Sequence, residues 1–423
     1  MKLRSLRWLP RLTPAVARYF VAVGLVGFAI DGGIYSVLLN LFLLRLGYGP
    51  ETIGLINAAG TLTFALTCLP AGVIGARWGS RPIMLLGLSL LAAGSMLLPL
   101  ADTLASKWRL AWLLVNVSLL YLGLALYFVN TAPFVMEAIR PEQRTHIFSL
   151  QTALLALAAF LGSLIGGFLP PGIAALLGGS TAQAAPYRYA LLIAGLAILP
   201  AMLALHAARP AAITHEAAPA PTVATPAPPI ARALIGLLTM IAIVRVLQVA
   251  GLAVTTTFFN VYLDSALLVS TARIGLLIAL GRLLGIPAAL ATGTLTSRYG
   301  TRAVVIGASL GTALSILPIA LIPHWGAAGL SLIGVVGLSG IRYPASIVYF
   351  LELVPPAQRA TVSGLTEMAA GICFTAMTFG GGYIIAAFGY QSLFLLGAAL
   401  TGLSALVFWR SFRQPPHGHA PHI

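Results

Sequence analysis

Gly72-Val73-Ile74-Gly75-Ala76-Arg77-Trp78-Gly79-Ser80-Arg81 is a short basic turn set between two long apolar runs. Its key residues occur twice. Gly72, Arg77, Gly79 and Arg81 return as Gly293, Arg298, Gly300 and Arg302, each 221 positions on. A fixed offset shared by several residues marks a duplicated unit. Gly54 and Gly60 recur as Gly275 and Gly281 at the same spacing, so the copy includes the apolar run before the turn. In a second block, Glu137, Pro141, Gln143, Arg144, Gly166 and Gly167 match Glu352, Pro356, Gln358, Arg359, Gly381 and Gly382, now 215 apart. That shorter offset fits a shorter connection in the second copy, residues 323–326 against 102–108.

With 423 residues, 59% of them hydrophobic and 8% charged, and a mean hydropathy of +0.98, the chain falls outside the soluble globular class. A membrane-crossing helix needs ~20 mostly apolar residues. Twelve such runs are legible: 18–45, 53–76, 82–101, 110–136, 146–170, 187–206, 232–263, 274–296, 303–322, 327–351, 360–387 and 390–411. Lipid cannot satisfy open backbone groups, and no alternating segments point to a barrel, so the spans are helices. The expected architecture is an all-α integral membrane protein with twelve transmembrane helices in two pseudo-symmetric six-helix bundles. Residues 1–206 form the first half and 231–412 the second. An Ala/Pro-rich cytoplasmic linker at 207–230 joins them, and 413–423 form a disordered tail. The stretch between Pro170 and Tyr187, rich in small residues, reads as a mobile loop.

The net charge of +15 has a topological explanation. With the N-terminus cytoplasmic, 16 Lys or Arg lie inside, five lie outside and three (Arg245, Arg282, Arg342) fall within spans. This follows the positive-inside bias and places both termini in the cytoplasm of a multi-pass protein of the cell membrane. Nothing in the pattern points to nucleic acid, because no basic stripe carries interleaved aromatics. Lys2, Arg4, Arg7 and Arg11 resemble a signal-peptide start, but the apolar run that follows reaches Leu44 and offers no small-residue cleavage site. It reads as an uncleaved first span. Cys68 and Cys373 lie in spans as small apolar residues. His417, His419 and His422 sit in the tail, so no metal and no cofactor is expected.

Two six-span halves, each with a basic glycine turn after its second span, resemble the major facilitator superfamily of secondary transporters over essentially the whole chain. The family's turn has the form G-x-x-x-D-R-x-G-R-R. Gly72, Arg77, Gly79 and Arg81 match it, while Ala76 and Ser80 depart from it. The resemblance implies a monomer whose halves rock about a central cavity, with a latch on the cytoplasmic side. Ala76 removes the aspartate that helps make that latch, and Ser297 stands at the matching place in the second half. Physically, glycine permits the tight reversal between helices, and the arginines hold the turn among headgroups. The expected gate comprises Gly72, Arg77, Gly79, Arg81, Gly293, Arg298, Gly300 and Arg302, with Glu137, Arg144, Glu352 and Arg359 supplying ion pairs. The alternative is a turn that only sets topology.

Polar groups inside the spans are few, and an ionisable group at mid-bilayer is a functional candidate by default. Asp31 lies about 13 residues, or ~20 Å, from the cytoplasmic end of the first span. Gly32 and Gly33 loosen the helix there, and Tyr35 lies one turn on. Asp31 is either a proton carrier or a static partner of an arginine. The seventh span carries Arg245, Gln248, Thr255 and Thr256, and the tenth Ser339, Arg342, Ser346 and Tyr349. The fourth carries Asn116, Tyr127, Asn130 and Thr131. In the family, spans one, four, seven and ten line the cavity. These stripes either line it here or act as hydrogen-bond glue between helices. Against three arginines in the spans stand two carboxylates, Asp31 and Glu367. A Glu367–Arg342 pair is expected between neighbouring spans, and Arg282 reaches for the outer face. Arg245 then faces Asp31 or an incoming anion, with Arg342 assisting.

An enzyme is not expected. Gly307, Ser309 and Gly311 match G-x-S-x-G, but within an apolar span rather than at a strand-to-helix turn. A P-loop needs G-K-[ST], and neither Lys2 nor Lys107 follows a glycine, so this chain does not hydrolyse ATP. The reading is a secondary active transporter for a small organic solute, anionic by the arginine count, coupled to protons or another ion. Family drug exporters carry G-P-x-x-G-G in the fifth span. Here Gly162 and Gly166 keep one spacing, while Gly167, Pro170 and Pro171 break the rest. Efflux of hydrophobic compounds is thus an alternative, and a non-transporting scaffold or sensor is a second.

Overall fold

The computed structural model describes residues 14–138, 141–208, 232–355 and 358–412, and among them there are helices and no strands. Nearly all of the expected linker, and the tail, lie outside the described residues. The first span is broken into α1 (Pro14–Ala29) and α2 (Ile34–Arg45), and the second is α3 (Pro50–Trp78). The third is α4 (Ser80–Leu97) with the 3-10 turn Leu98–Thr103, and the fourth is α5 (Ser106–Ala138). Then come α6 (Pro141–Leu176), the divided sixth span α7 (Ala185–Leu196) and α8 (Ile198–Ala207), α9 (Arg232–Ser265) and α10 (Thr271–Tyr299). The chain closes with α11 (Thr301–Leu321), α12 (Trp325–Glu352) and α13 (Arg359–Ser411). α13 holds the last two spans, separated at Gly389 where φ is 80°.

The duplicated glycines explain the two turns. Gly79 and Gly300 adopt φ of 91° and 82°, a region that side-chain-bearing residues avoid, and each lets one span reverse directly into the next. Two expectations change. α6 continues through Pro170 and Pro171 to Leu176, so the loop is shorter than the small-residue stretch. A proline forfeits only its own N–H, and a continued helix still satisfies the other backbone groups. Arg45 Nε also donates to the Thr181 carbonyl at 2.8 Å within the remaining loop. The difference between the repeat offsets lies mostly in helix length, because α5 has 33 residues and its counterpart α12 has 28.

The residues fall into two compact units. Unit 1 comprises Met1–Leu46, Thr63–Ile230 and Thr271–Ala279. Within it, Ala71, Ile83 and Leu126 knit α3, α4 and α5 together. The start of α10 belongs to this unit, where Gly275 packs against Gly167 of α6 so closely that an added Cβ would sit 2.8 Å from the Ser163 carbonyl oxygen. Unit 2 comprises Gly47–Leu62, Ala231–Ser270 and Leu280–Ile423. Its cluster of Ile241, Val244, Val305, Tyr349, Phe350, Phe408 and Phe412 joins α9, α11, α12 and the end of α13. The start of α3 belongs here, with Gly54 against Thr378 and Gly382 of α13. Gly54 and Gly275 correspond in the repeat, as do Gly167 and Gly382, so one crossing of small residues is built twice.

Candidate functional site

In unit 2, α9 and α12 pack together and bring their polar stripes to one place. Arg342 is 1% exposed, so its guanidinium lies in the interior of the unit. Its NH2 donates to Ser339 Oγ at 3.2 Å, one turn back on α12. Among the described residues its Nε and NH1 have no hydrogen-bond partner. Gln248 and Ser346 are fully buried beside it in sequence register and bond to each other, Nε2 to Oγ at 3.3 Å. Gln248 Oε1 and Thr255 Oγ1 remain without partners among the described residues. A buried polar group without a partner is costly, and these atoms make the cluster the candidate site of unit 2.

Arg245, 6% exposed, is close enough to Arg342 for the two charges to repel. Its NH2 lies 3.9 Å from Glu367 Oε1 of α13, and its guanidinium sits 4.9 Å from the centre of the Tyr343 ring. The Tyr343 hydroxyl donates to that same Glu367 oxygen at 2.9 Å. Glu367 therefore pairs with Arg245, not with Arg342 as expected. Tyr343 decides this, because its ring carries the Arg245 cation and its hydroxyl holds the carboxylate beside it. Sequence reasoning passed over Tyr343, although a tyrosine next to Arg342 deep in a span was the available signal. Tyr349, two turns on, is buried in the aromatic cluster with Phe350, Phe408 and Phe412.

In unit 1, Asp31 lies in the break between α1 and α2, partly exposed and near enough to Tyr121 of α5 for the two to interact electrostatically. Gly32, at φ 83°, makes the break possible. Its N–H donates to Ser36 Oγ at 2.9 Å, and its carbonyl accepts from Ser163 Oγ of α6. Gly162 lets α6 lie directly on the break, since a Cβ there would fall on the Phe28 carbonyl. Tyr35 is buried and donates its hydroxyl to the Ser95 carbonyl of α4. Asn130 is buried and bonds to the Ala71 and Leu126 carbonyls at 3.2 and 2.9 Å, tying α5 to α3 where Gly75 makes room. Asn116 and Thr131 bond to carbonyls of their own helix.

Two of the turn arginines bond to the ends of neighbouring helices. Arg81 donates to the Leu205 and His206 carbonyls at the end of α8, and Arg18 to the Ala207 carbonyl at 2.6 Å. Arg302 does the same at the end of α13, to Phe412 at 2.7 Å and Trp409 at 2.6 Å. The last carbonyls of a helix lack partners and carry its negative pole, so they attract these cations. Arg77 and Arg298 are exposed, with Arg298 against the Tyr299 ring, and Glu352 and Arg359 are exposed at the ends of their helices. Gly72 packs against Val129, whereas Gly293 has open space around it. The side chains of Glu137 and Arg144 lie outside the described residues. Ser309 is buried within α11 and gives its hydroxyl to the Val305 carbonyl at 2.8 Å, an arrangement unlike a nucleophile's.

Comparison with known proteins agrees with this geometry. Residues 21–337 and 241–422 match the sequence profile of the Major Facilitator Superfamily. The Multidrug resistance protein MdtH of Yersinia enterocolitica is 27% identical over 159 residues, 37% of each chain. That of Yersinia pestis is 28% identical over 136 residues, 32% of each. The match thus spans little more than a third of these relatives' length. Among solved structures, the nucleoside transporter NupG superposes with a TM-score of 0.72 at 14% identity, over 95% of this chain and 99% of that one. The E. coli xylose transporter XylE, in an inward open conformation, gives 0.71 at 14% identity over 96% and 98%. A fold shared across nearly the full length, a profile match covering both halves and the doubled turn all agree: the chain is a multi-pass membrane protein of the Major Facilitator Superfamily.

Proposed function

We propose that the chain is a secondary transporter that carries a small organic anion together with protons, by alternating access. The observation that carries this reading is Arg342, a guanidinium buried to 1% exposure with two of its nitrogens unpartnered among the described residues. Of the two buried arginines, Arg245 lies against Glu367 and Arg342 has no carboxylate against it among the described residues, so an anionic cargo would supply the missing charge. Gln248 and Ser346 offer hydrogen bonds to the same guest. Similar structures belong to a nucleoside transporter and to a D-xylose-proton symporter, which supports a small solute and proton coupling. The membrane is the cell membrane with both termini in the cytoplasm, as the basic bias expects, and the chain acts as a monomer. Asp31, in its helix break, is the coupling candidate of unit 1.

Counterflow in proteoliposomes under a pH gradient tests the reading. Solute accumulation responds to the gradient in the wild type and weakens in Asp31→Asn; equal responses remove Asp31 from coupling. Efflux of hydrophobic compounds stands as the second reading, favoured by the MdtH similarity. Reduced whole-cell accumulation of an apolar dye would support it over anion transport.

A further inference from the structure

We infer that Gln248 is the specificity-determining residue of the unit 2 site and reads a hydroxyl on the cargo, so that the class carried is a hydroxycarboxylate rather than a plain carboxylate. The inference rests on the anion reading above and deepens it by naming the second group that the guest must bring. Gln248 is fully buried on α9, and its Nε2 donates to Ser346 Oγ of α12 at 3.3 Å. That bond fixes the amide across two helices. Oε1, at the other end of the amide, has no partner among the described residues, and neither do Nε and NH1 of Arg342.

These unmet groups differ in kind. The Arg342 nitrogens only donate, and a carboxylate, which only accepts, suits them. Gln248 Oε1 only accepts, so the carboxylate that answers Arg342 cannot also answer Gln248. The guest therefore needs a second group with a hydrogen to give. A hydroxyl both donates and accepts, so it satisfies either end of the Gln248 amide. An ammonium would also donate, but it would enter a cluster that already holds Arg245 and Arg342 against the one carboxylate of Glu367, and like charge disfavours it. Arg342 and Ser346 stand one turn apart on α12, ~6 Å along the axis, a distance that a chain of a few carbons spans.

The test is calorimetric titration of the full-length purified protein with two matched pairs, lactate against propionate and gluconate against hexanoate, whose members have equal carbon number and differ in their hydroxyls. In at least one pair the hydroxylated member is expected to bind the wild type roughly 10- to 100-fold more tightly, the effect of leaving a buried polar group unanswered. Gln248→Leu removes the amide at nearly constant volume and is expected to bind both members of that pair alike, while Arg342→Gln binds neither. Ser346→Ala removes only the bond that fixes the amide; it is expected to narrow the ratio, and it keeps the test decisive should the leucine variant fail to fold. A purely structural role for Gln248 would weaken all four ligands alike and leave the ratio unchanged. A wild-type ratio near one in both pairs, or a ratio unchanged in either variant, overturns the inference and leaves the anion reading standing. Failure of all four carboxylates to bind the wild type overturns both.

Discussion

Gly162→Ala is the sharpest structural probe of the broken first span. The new methyl would fall on the Phe28 carbonyl oxygen and lie 2.8 Å from the Phe28 carbonyl carbon and 2.9 Å from Gly33 Cα. Each of these is main chain, so no rotamer change relieves the clash, and α6 must move away from the break. Overpacking of this kind costs about 1–3 kcal/mol. The displacement also loosens the Ser163 hydrogen bond to the Gly32 carbonyl, worth ~1 kcal/mol. A total of about 2–4 kcal/mol lowers Tm by roughly 4–16 °C for a cooperative unit of roughly 200 residues. Gly172→Ala is the control on the same helix. It meets no atom within 4 Å, and exchanging a helical glycine for alanine there raises stability by about 0.5–1 kcal/mol. Thermal unfolding of both variants in one detergent measures the difference. Equal Tm values for the two would refute the claim that α6 bears directly on the break.

Other outcomes follow from the same geometry. Gly54→Ala and Gly275→Ala destabilise by similar amounts, about 1–3 kcal/mol each, because the repeat builds one close crossing twice; a neutral effect at either position, read as Tm, argues against the equivalence. Arg302→Lys loses the two-pronged contact with Trp409 and Phe412 that a guanidinium makes and an ammonium cannot, at about 1–2 kcal/mol, and makes the end of α13 more sensitive to limited proteolysis. Ser309→Ala leaves transport in proteoliposomes unchanged, since its buried hydroxyl is bonded to the Val305 carbonyl of its own helix; a loss of transport would argue against a packing role.

The fold was legible because duplication and hydropathy are properties of the whole chain. Spacings of 221 and 215 announced two halves, and apolar runs long enough to cross a bilayer left no other structure available. The helix break was legible too, since Asp31-Gly32-Gly33 places two poor helix formers in mid-span. Partners were harder to read. Counting charges showed that one arginine would lack a carboxylate, but the sequence reading left over Arg245, whereas the structure leaves over Arg342. That choice depended on Tyr343, which holds Arg245 and Glu367 at once and leaves Arg342 over. Asn130 was ambiguous for a similar reason, because a polar stripe on a helix faces either cargo or a neighbouring helix. Gly75, two helices away in sequence, gives Asn130 its place against α3. The turn arginines invited a search for acids, whereas Arg81 and Arg302 bond to carbonyls at helix ends, which every helix has and no sequence pattern marks.

The central claim, that buried Arg342 waits for an anion, is tested most directly by pH-gradient-driven uptake of gluconate against its neutral counterpart sorbitol in proteoliposomes. Gluconate accumulation is expected to follow the gradient, with little sorbitol uptake and with the gluconate signal lost in Arg342→Gln. Equal uptake of the two solutes, or full gluconate transport by Arg342→Gln, would contradict it.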